Sequence, residues 1–282
     1  MPTAPDTSEE TIGTRDLTSW RSVLGRSLIA LVGWVVTRLP RSLHRAGRWS
    51  VANLAFVVLA AAAGATMVGL TAVTHTVQES VADEDGISVL DQPVLDAAVD
   101  LRSPALDAAV TTFTDIGGPV GMPVLTATAV AALVAVRRRW TPVVLTLVAG
   151  AGSLAMTVVG KGWVGRIRPP ADLAVPPLET SPSFPSGHTL NATVLTAVVV
   201  YLVLLRTTAT WQRVLALTVG VVFVAAMGLS RVFLGHHWLT DVIAGWTLGL
   251  AWALAVVTAH RLWLTLRGRE RRGPAPAEAD GA

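Results

Sequence analysis

Three short runs of the chain hold residue types that could do chemistry together. The first has Lys161, Arg166 and Arg168 ahead of Pro169 and Pro170, the second has Pro185-Ser186-Gly187-His188, and the third runs from Ser230 and Arg231 through His236 and His237 to Asp241. Lys161 is the only lysine among the 22 Lys+Arg residues, so a compact ammonium stands where the chain otherwise uses planar guanidinium groups. Ser186 and Gly187 open an apolar stretch, and a helix start there offers unpaired N–H groups and about half a positive charge to an anion. Lys161, Arg168 and Arg231 converging on that cradle suit a phosphate, whose charge needs neutralising at rest and during phosphoryl transfer. His237 and Asp241 are four residues apart, which places them on one face if the helix begins by His237. A carboxylate accepting from one ring nitrogen leaves the other free and basic, so His237 is a candidate nucleophile. His188, at the cradle, is then placed to protonate the departing oxygen. His236 is turned about 100° away from the Asp241 face.

Taken singly, each residue has a plainer role: Lys161, Arg168 and Arg231 as interfacial anchors, Ser186 as a helix cap, Asp241 as an acid complementing a helix dipole. Their joint placement in two connections favours the site. Arg166 has no assigned partner and reads as an anchor, while Asp172 and Glu179 read as solvated surface. A divalent metal would be repelled by the clustered cations, so a site without metal or other cofactor is expected. With no cysteine, thiolate chemistry and disulfides are excluded.

The elements that position these residues are membrane helices. Of the 282 residues 52% are hydrophobic and 15% charged, and mean hydropathy is +0.55, outside the balance of a soluble domain. Six stretches have the length to span, at about 51–73, 120–136, 140–159, 189–205, 214–229 and 242–257. Arginines gather before the first span, at Arg137 to Arg139, at Arg206 and Arg213, and after the sixth; residues 75–119 carry nine acids against Arg102. The excess of positive charge on cytoplasmic loops then puts both termini inside and the functional groups outside, as expected of a multi-pass plasma-membrane protein. The pI near 10.4 follows from that topology and implies no nucleic-acid partner.

Residues 1–22 and 259–282 read as disordered cytoplasmic tails, and 23–49, with its short apolar run, as an interfacial amphipathic segment. Within the first outer loop, apolar spacing predicts two short helices broken at Pro104. The expected fold is all-α: a six-transmembrane-helix bundle over residues 50–258, with its site at the extracytoplasmic end.

The order Lys161-x6-Arg168-Pro169, Pro185-Ser186-Gly187-His188 and Ser230-Arg231-x5-His237-x3-Asp241 resembles the type 2 phosphatidic acid phosphatase (PAP2) superfamily in its integral-membrane branch. The resemblance implies that His237 forms a phosphohistidine, that Asp241 orients it, and that His188 is the acid for the leaving group. It assigns Lys161, Arg168, Ser186, Gly187 and Arg231 to phosphate binding and implies no metal. The function expected is hydrolysis of a lipid phosphate monoester or diphosphate at the outer leaflet. Candidate substrates are phosphatidate, phosphatidylglycerophosphate and polyprenyl diphosphate, with the outward site favouring the last two. A lipid phosphotransferase would share the first half-reaction, and an anion transporter is the alternative from another class.

Overall fold

The computed structural model describes residues 86–272 continuously, and before them Gly69 and a few positions between 11 and 30. The first expected span, 51–73, and the interfacial segment, 23–49, therefore lie outside the described residues apart from those isolated positions. Among the described residues there are seven α-helices: α1 (Asp91–Asp100), α2 (Pro104–Asp115), α3 (Gly121–Arg137), α4 (Thr141–Val164), α5 (Gly187–Leu204), α6 (Thr210–Phe233) and α7 (Leu239–Arg272). Four of these, α4 to α7, are long and apolar enough to cross a membrane; α3 is apolar over Gly121–Val136 but shorter. One two-residue antiparallel pairing, β1 (Thr11–Ile12) with β2 (Arg15–Asp16), falls in the segment expected to be disordered.

Local chemistry accounts for the helix limits. The chain breaks between α1 and α2 as the apolar spacing predicts: Ser103, in extended conformation, accepts from the Leu106 N–H at 3.3 Å, and Pro104 occupies the first turn. α3 ends where Arg138 takes the left-handed conformation at φ 51°, and α4 ends on Gly165 at φ 61°, whose N–H returns to the Lys161 carbonyl. That last turn sets Lys161 just short of the loop bearing Arg166 and Arg168.

α5 is the central helix, with α3, α4, α6 and α7 around it. In a bilayer, apolar side chains gain little by leaving lipid for protein, so close backbone approach has to come from small residues. Gly245 and Gly249 of α7 supply it: a Cβ on Gly245 would lie 2.9 Å from Thr189 Cβ, and one on Gly249 would lie 2.7 Å from Thr193 Cβ. Gly152 of α4 likewise faces the Trp252 indole, whose Nε1 donates to the Ala149 carbonyl at 3.1 Å. The outward faces stay apolar, with Leu147, Leu154 and Val158 of α4 and Val219, Val221 and Val222 of α6 all exposed, as lipid contact requires. Because the α5–α7 seam starts at Thr189 and Gly245, it clamps the helix starts that carry Ser186 to His188 and Asp241.

α7 corrects one expected boundary. The helix continues to Arg272, well into the segment read as a disordered tail. Leu262 and Leu264 are buried there, and Tyr201 of α5 lies 2.9 Å from His260 Nδ1, so residues beyond 258 still have a core to pack on.

Candidate active site

The three sequence runs meet at one end of the bundle, where α4 ends and α5 and α7 begin. His237 is 1% exposed and lies in the turn after α6, two residues before α7 starts. It is therefore not on the helix with Asp241, as simple i, i+4 spacing supposes. The chain bends through Gly235 (φ 71°), and the His236 and His237 N–H groups both donate to the Arg231 carbonyl. The ring still reaches its partner: Nδ1 lies 3.4 Å from Asp241 Oδ2. Asp241, the third residue of α7, also accepts from the Trp238 N–H at 3.0 Å, half of a capping box, and from Ser183 Oγ at 2.5 Å.

The other ring nitrogen is defined by its neighbour. His237 Nε2 lies 3.2 Å from Arg168 Nη1, and a guanidinium can only donate. Nε2 is thus the acceptor, the proton belongs on Nδ1 beside Asp241, and a lone pair points toward Arg168. Burial pushes the His237 imidazole down to about 4, against the raising pull of Asp241, so the ring is neutral near pH 7.

The cations are held from several elements. Lys161 Nζ donates to Ser181 Oγ at 2.9 Å and to the Pro182 carbonyl at 2.5 Å. Arg168 donates to the carbonyls of Ser181 at 2.6 Å and His236 at 2.5 Å, so the guanidinium ties the first run to the third and to the loop that leads into the second. Arg231, in the last turn of α6 and 2% exposed, donates to Thr114 Oγ1 at 3.1 Å. Ser186 holds the N-cap position of α5, but its side chain makes no cap bond; its Oγ accepts from Thr189 Oγ1 at 2.9 Å. Gly187 sits where a Cβ would come within 3.1 Å of Thr157 on α4, so the helix start approaches its neighbour closely. His236 is engaged elsewhere, its Nε2–H donating to the Val175 carbonyl at 2.7 Å, in keeping with its expected separation from Asp241.

Two sequence readings are corrected. Glu179, taken for solvated surface, pairs with Arg168 Nη2 at 2.7 Å and with Arg231 Nη2. Burial alone would raise its carboxyl, but Arg231 and Arg168 outweigh that and hold it down at about 2. Arg166, taken for an anchor without a partner, pairs with Asp241 Oδ1 and with Asp91 Oδ2, each at 2.7 Å. Spacing gives no signal for either: Arg166 meets Asp91 and Asp241 across 75 positions each, and Glu179 meets Arg231 across 52 and Arg168 only through the folding of their shared loop. Ser183, which lies just ahead of the second run, was missed by sequence reasoning, because its bond to Asp241 spans 58 positions.

A cavity of about 1020 Å³ leads away from these groups between α3, α4 and α5. Lys161, Glu179, His188 and His237 line its polar end, and Met122, Val130, Leu147, Leu154 and Leu195 are among its apolar walls. Such a space fits an amphipathic molecule with an anionic head. No group of three or more His, Cys, Asp or Glu side chains suited to a metal ion occurs among the described residues.

Comparison with known proteins agrees with this architecture. The PAP2 superfamily pattern matches residues 140–264. Phosphatidylglycerophosphatase B of Bacillus subtilis (strain 168) is 33% identical over 168 residues, 59% of this chain and 81% of that protein. Undecaprenyl-diphosphatase of Sulfolobus acidocaldarius is 42% identical over 73 residues, 26% of this chain and 31% of that protein. A crystal structure of a transmembrane PAP2-type phosphatidylglycerolphosphate phosphatase from Bacillus subtilis superposes with a TM-score of 0.60 at 24% identity, covering 76% of this chain and 98% of that one. With the three motif runs gathered at one end of a helical membrane bundle and a relative matched over most of its length, the chain belongs to the PAP2 superfamily and is a PAP2-type lipid phosphatase, a hydrolase of phosphoric esters.

Proposed function

We propose that the protein removes the terminal phosphate of a membrane lipid through a phosphohistidine on His237. The observation that carries this reading is the double constraint on that ring, with Nδ1 against Asp241 and Nε2 turned to Arg168 at the charged end of a lipid-sized cavity. In the reaction, His237 Nε2 attacks phosphorus and the bond to the lipid oxygen breaks. Asp241 stabilises the cationic ring as its Nδ1 proton is retained. His188 gives a proton to the departing alkoxide, then takes one from the water that attacks the phosphohistidine, releasing inorganic phosphate and restoring His237. Arg168, Arg231 and Lys161, with the Ser186 hydroxyl and the Gly187 N–H at the α5 start, neutralise and hold the transferring group, while the Ser186 N–H stays bonded to the Asp241 carbonyl. The phosphate displaces the Glu179 carboxylate from Arg168 and Arg231, so the cations stay paired in both states.

The apolar part of the cavity would take the acyl or prenyl chains. A phosphatidylglycerophosphate is the substrate best supported, because the match to the Bacillus phosphatase spans 81% of that protein and the match to the diphosphatase only 31% of its own length. Residues 51–73 and α3 would complete six spans, with both termini cytoplasmic and the site on the outer face of the plasma membrane, as the arginine distribution favours. The test is phosphate release by purified protein from a panel of phosphatidylglycerophosphate, phosphatidate and polyprenyl diphosphate. His237→Ala should abolish release from all three, and substantial residual turnover in that variant would overturn the mechanism.

A further inference from the structure

Asp91 lies well before the residues matched by the PAP2 pattern, yet its carboxylate is buried against the site. It is the first residue of α1, in the acidic outer segment. Its Oδ1 accepts from the Thr240 N–H at 2.9 Å, and its Oδ2 accepts from Thr240 Oγ1 and Arg166 Nη2, both at 2.7 Å. Thr240 is the second residue of α7, so the N–H that Asp91 receives is one of those no helix can pair internally. A helix from one part of the chain thus caps the helix that bears Asp241.

Arg166 joins the two carboxylates. Its Nη1 donates to Asp241 Oδ1 at 2.7 Å and to Thr240 Oγ1 at 2.6 Å while Nη2 reaches Asp91, and the guanidinium lies 5.7 Å from the Trp238 ring centroid. Asp241 is fully buried, and its Oδ2 takes Ser183, the Trp238 N–H and the His237 ring. Arg166 is the side-chain donor on Oδ1. A carboxylate gripped at both oxygens cannot rotate about its terminal torsion, so the oxygen facing His237 stays in place. The fork of a guanidinium makes this possible, since one planar group reaches two carboxylates in fixed directions.

We infer that Asp91 and Arg166 are positioning residues for the reaction: Asp91 holds Arg166, and Arg166 sets the rotation of Asp241 and through it the aim and tautomer of His237. This rests on the reading of His237 as nucleophile and Asp241 as its orienter. The phosphate-binding groups are not part of the relay, so its loss acts on turnover more than on substrate binding.

The experiment measures phosphate release from dioctanoyl phosphatidylglycerophosphate in detergent by the full-length chain, normalised to folded protein, for Asp91→Asn, Arg166→Lys and Asp241→Asn singly and in pairs. Asp91→Asn and Arg166→Lys should each lower kcat by about tenfold to a hundredfold, by analogy with the loss when a partner that orients a metal-ligating histidine is removed, with KM little changed. Asp91→Asn combined with Asp241→Asn should be no slower than Asp241→Asn alone, because a residue acting through Asp241 has nothing left to orient. Losses that multiply in the double variant, or a lower Tm with wild-type kcat per folded molecule, would overturn the relay and leave Asp91 as a cap. If Asp91→Asn does not yield folded protein, Arg166→Lys with Asp241→Asn decides by the same criterion. His237→Ala separates the two levels: turnover in that variant refutes the nucleophile itself, whereas an inactive His237→Ala beside a fully active Asp91→Asn refutes the relay alone.

Discussion

Glu179→Gln tests how the site keeps its cations paired. The carboxylate pairs with Arg168 at 2.7 Å and with Arg231, and the side chain is 29% exposed. Its proton affinity falls from the ordinary 4.5 to about 2 despite the opposing effect of burial, so the arginines favour the charged form strongly. At about 1.4 kcal/mol per tenfold, that preference is on the order of 3 kcal/mol, and solvent screening at a partly exposed side chain reduces it to about 1 to 2 kcal/mol. A phosphate that binds the same two guanidinium groups must first displace this partner. Glutamine removes the competing charge at nearly unchanged volume, so the variant should bind orthovanadate and inorganic phosphate about tenfold more tightly at pH 7. The assay is inhibition of phosphate release from a short-chain lipid phosphate, with thermal unfolding in detergent as the check on folding. Product release from the variant should slow as well, so kcat falls while the inhibition constants drop. Unchanged or weaker vanadate binding by a folded Glu179→Gln protein would refute displacement and make Glu179 a support for the arginines.

Lys161→Arg should express and fold but lose about tenfold to a hundredfold in kcat/KM, because Nζ reaches both Ser181 Oγ and the Pro182 carbonyl as a compact donor and a planar guanidinium is a poor replacement there. Wild-type kinetics would return Lys161 to the role of an anchor. The acid limb of kcat/KM should lie near pH 4, where buried His237 titrates, and not near its ordinary 6.5. The sign follows from the neutral ring being the nucleophile, so activity holds above that pH and falls as the ring protonates below it. The depressed His237 value also costs stability progressively as pH falls from 6.5 toward 4, since the unfolded chain takes up the proton first; thermal unfolding across that window should show Tm declining in step.

Much of the site was legible in the chain because its chemistry is local. The Lys161 to Arg168 interval is closed by one helix end, Ser186 to His188 by one helix start, and Arg231 to Asp241 by a single turn between α6 and α7. Residue types and spacing along such short runs carry the chemistry directly, and the apolar lengths carry the helices. Even there the reading had a limit, since His237 meets Asp241 from a bent turn and not from a shared helix face.

What only the tertiary structure decided are the partners contributed across long separations. Arg166 looks like an anchor and Glu179 like a solvated charge until α1 brings Asp91 to the α7 start and the loop after α4 folds Glu179 over Arg168 and Arg231. The same holds for the end of α7, whose arginine-rich sequence reads as a tail until Tyr201, Leu262 and Leu264 provide a core. The physical reason is that a charge's environment depends on which segments are packed against it. Periodicity reports the face a residue occupies on its own helix, while the groups opposite it are set by the seams between helices, here the close approach of Gly245 and Gly249 to Thr189 and Thr193.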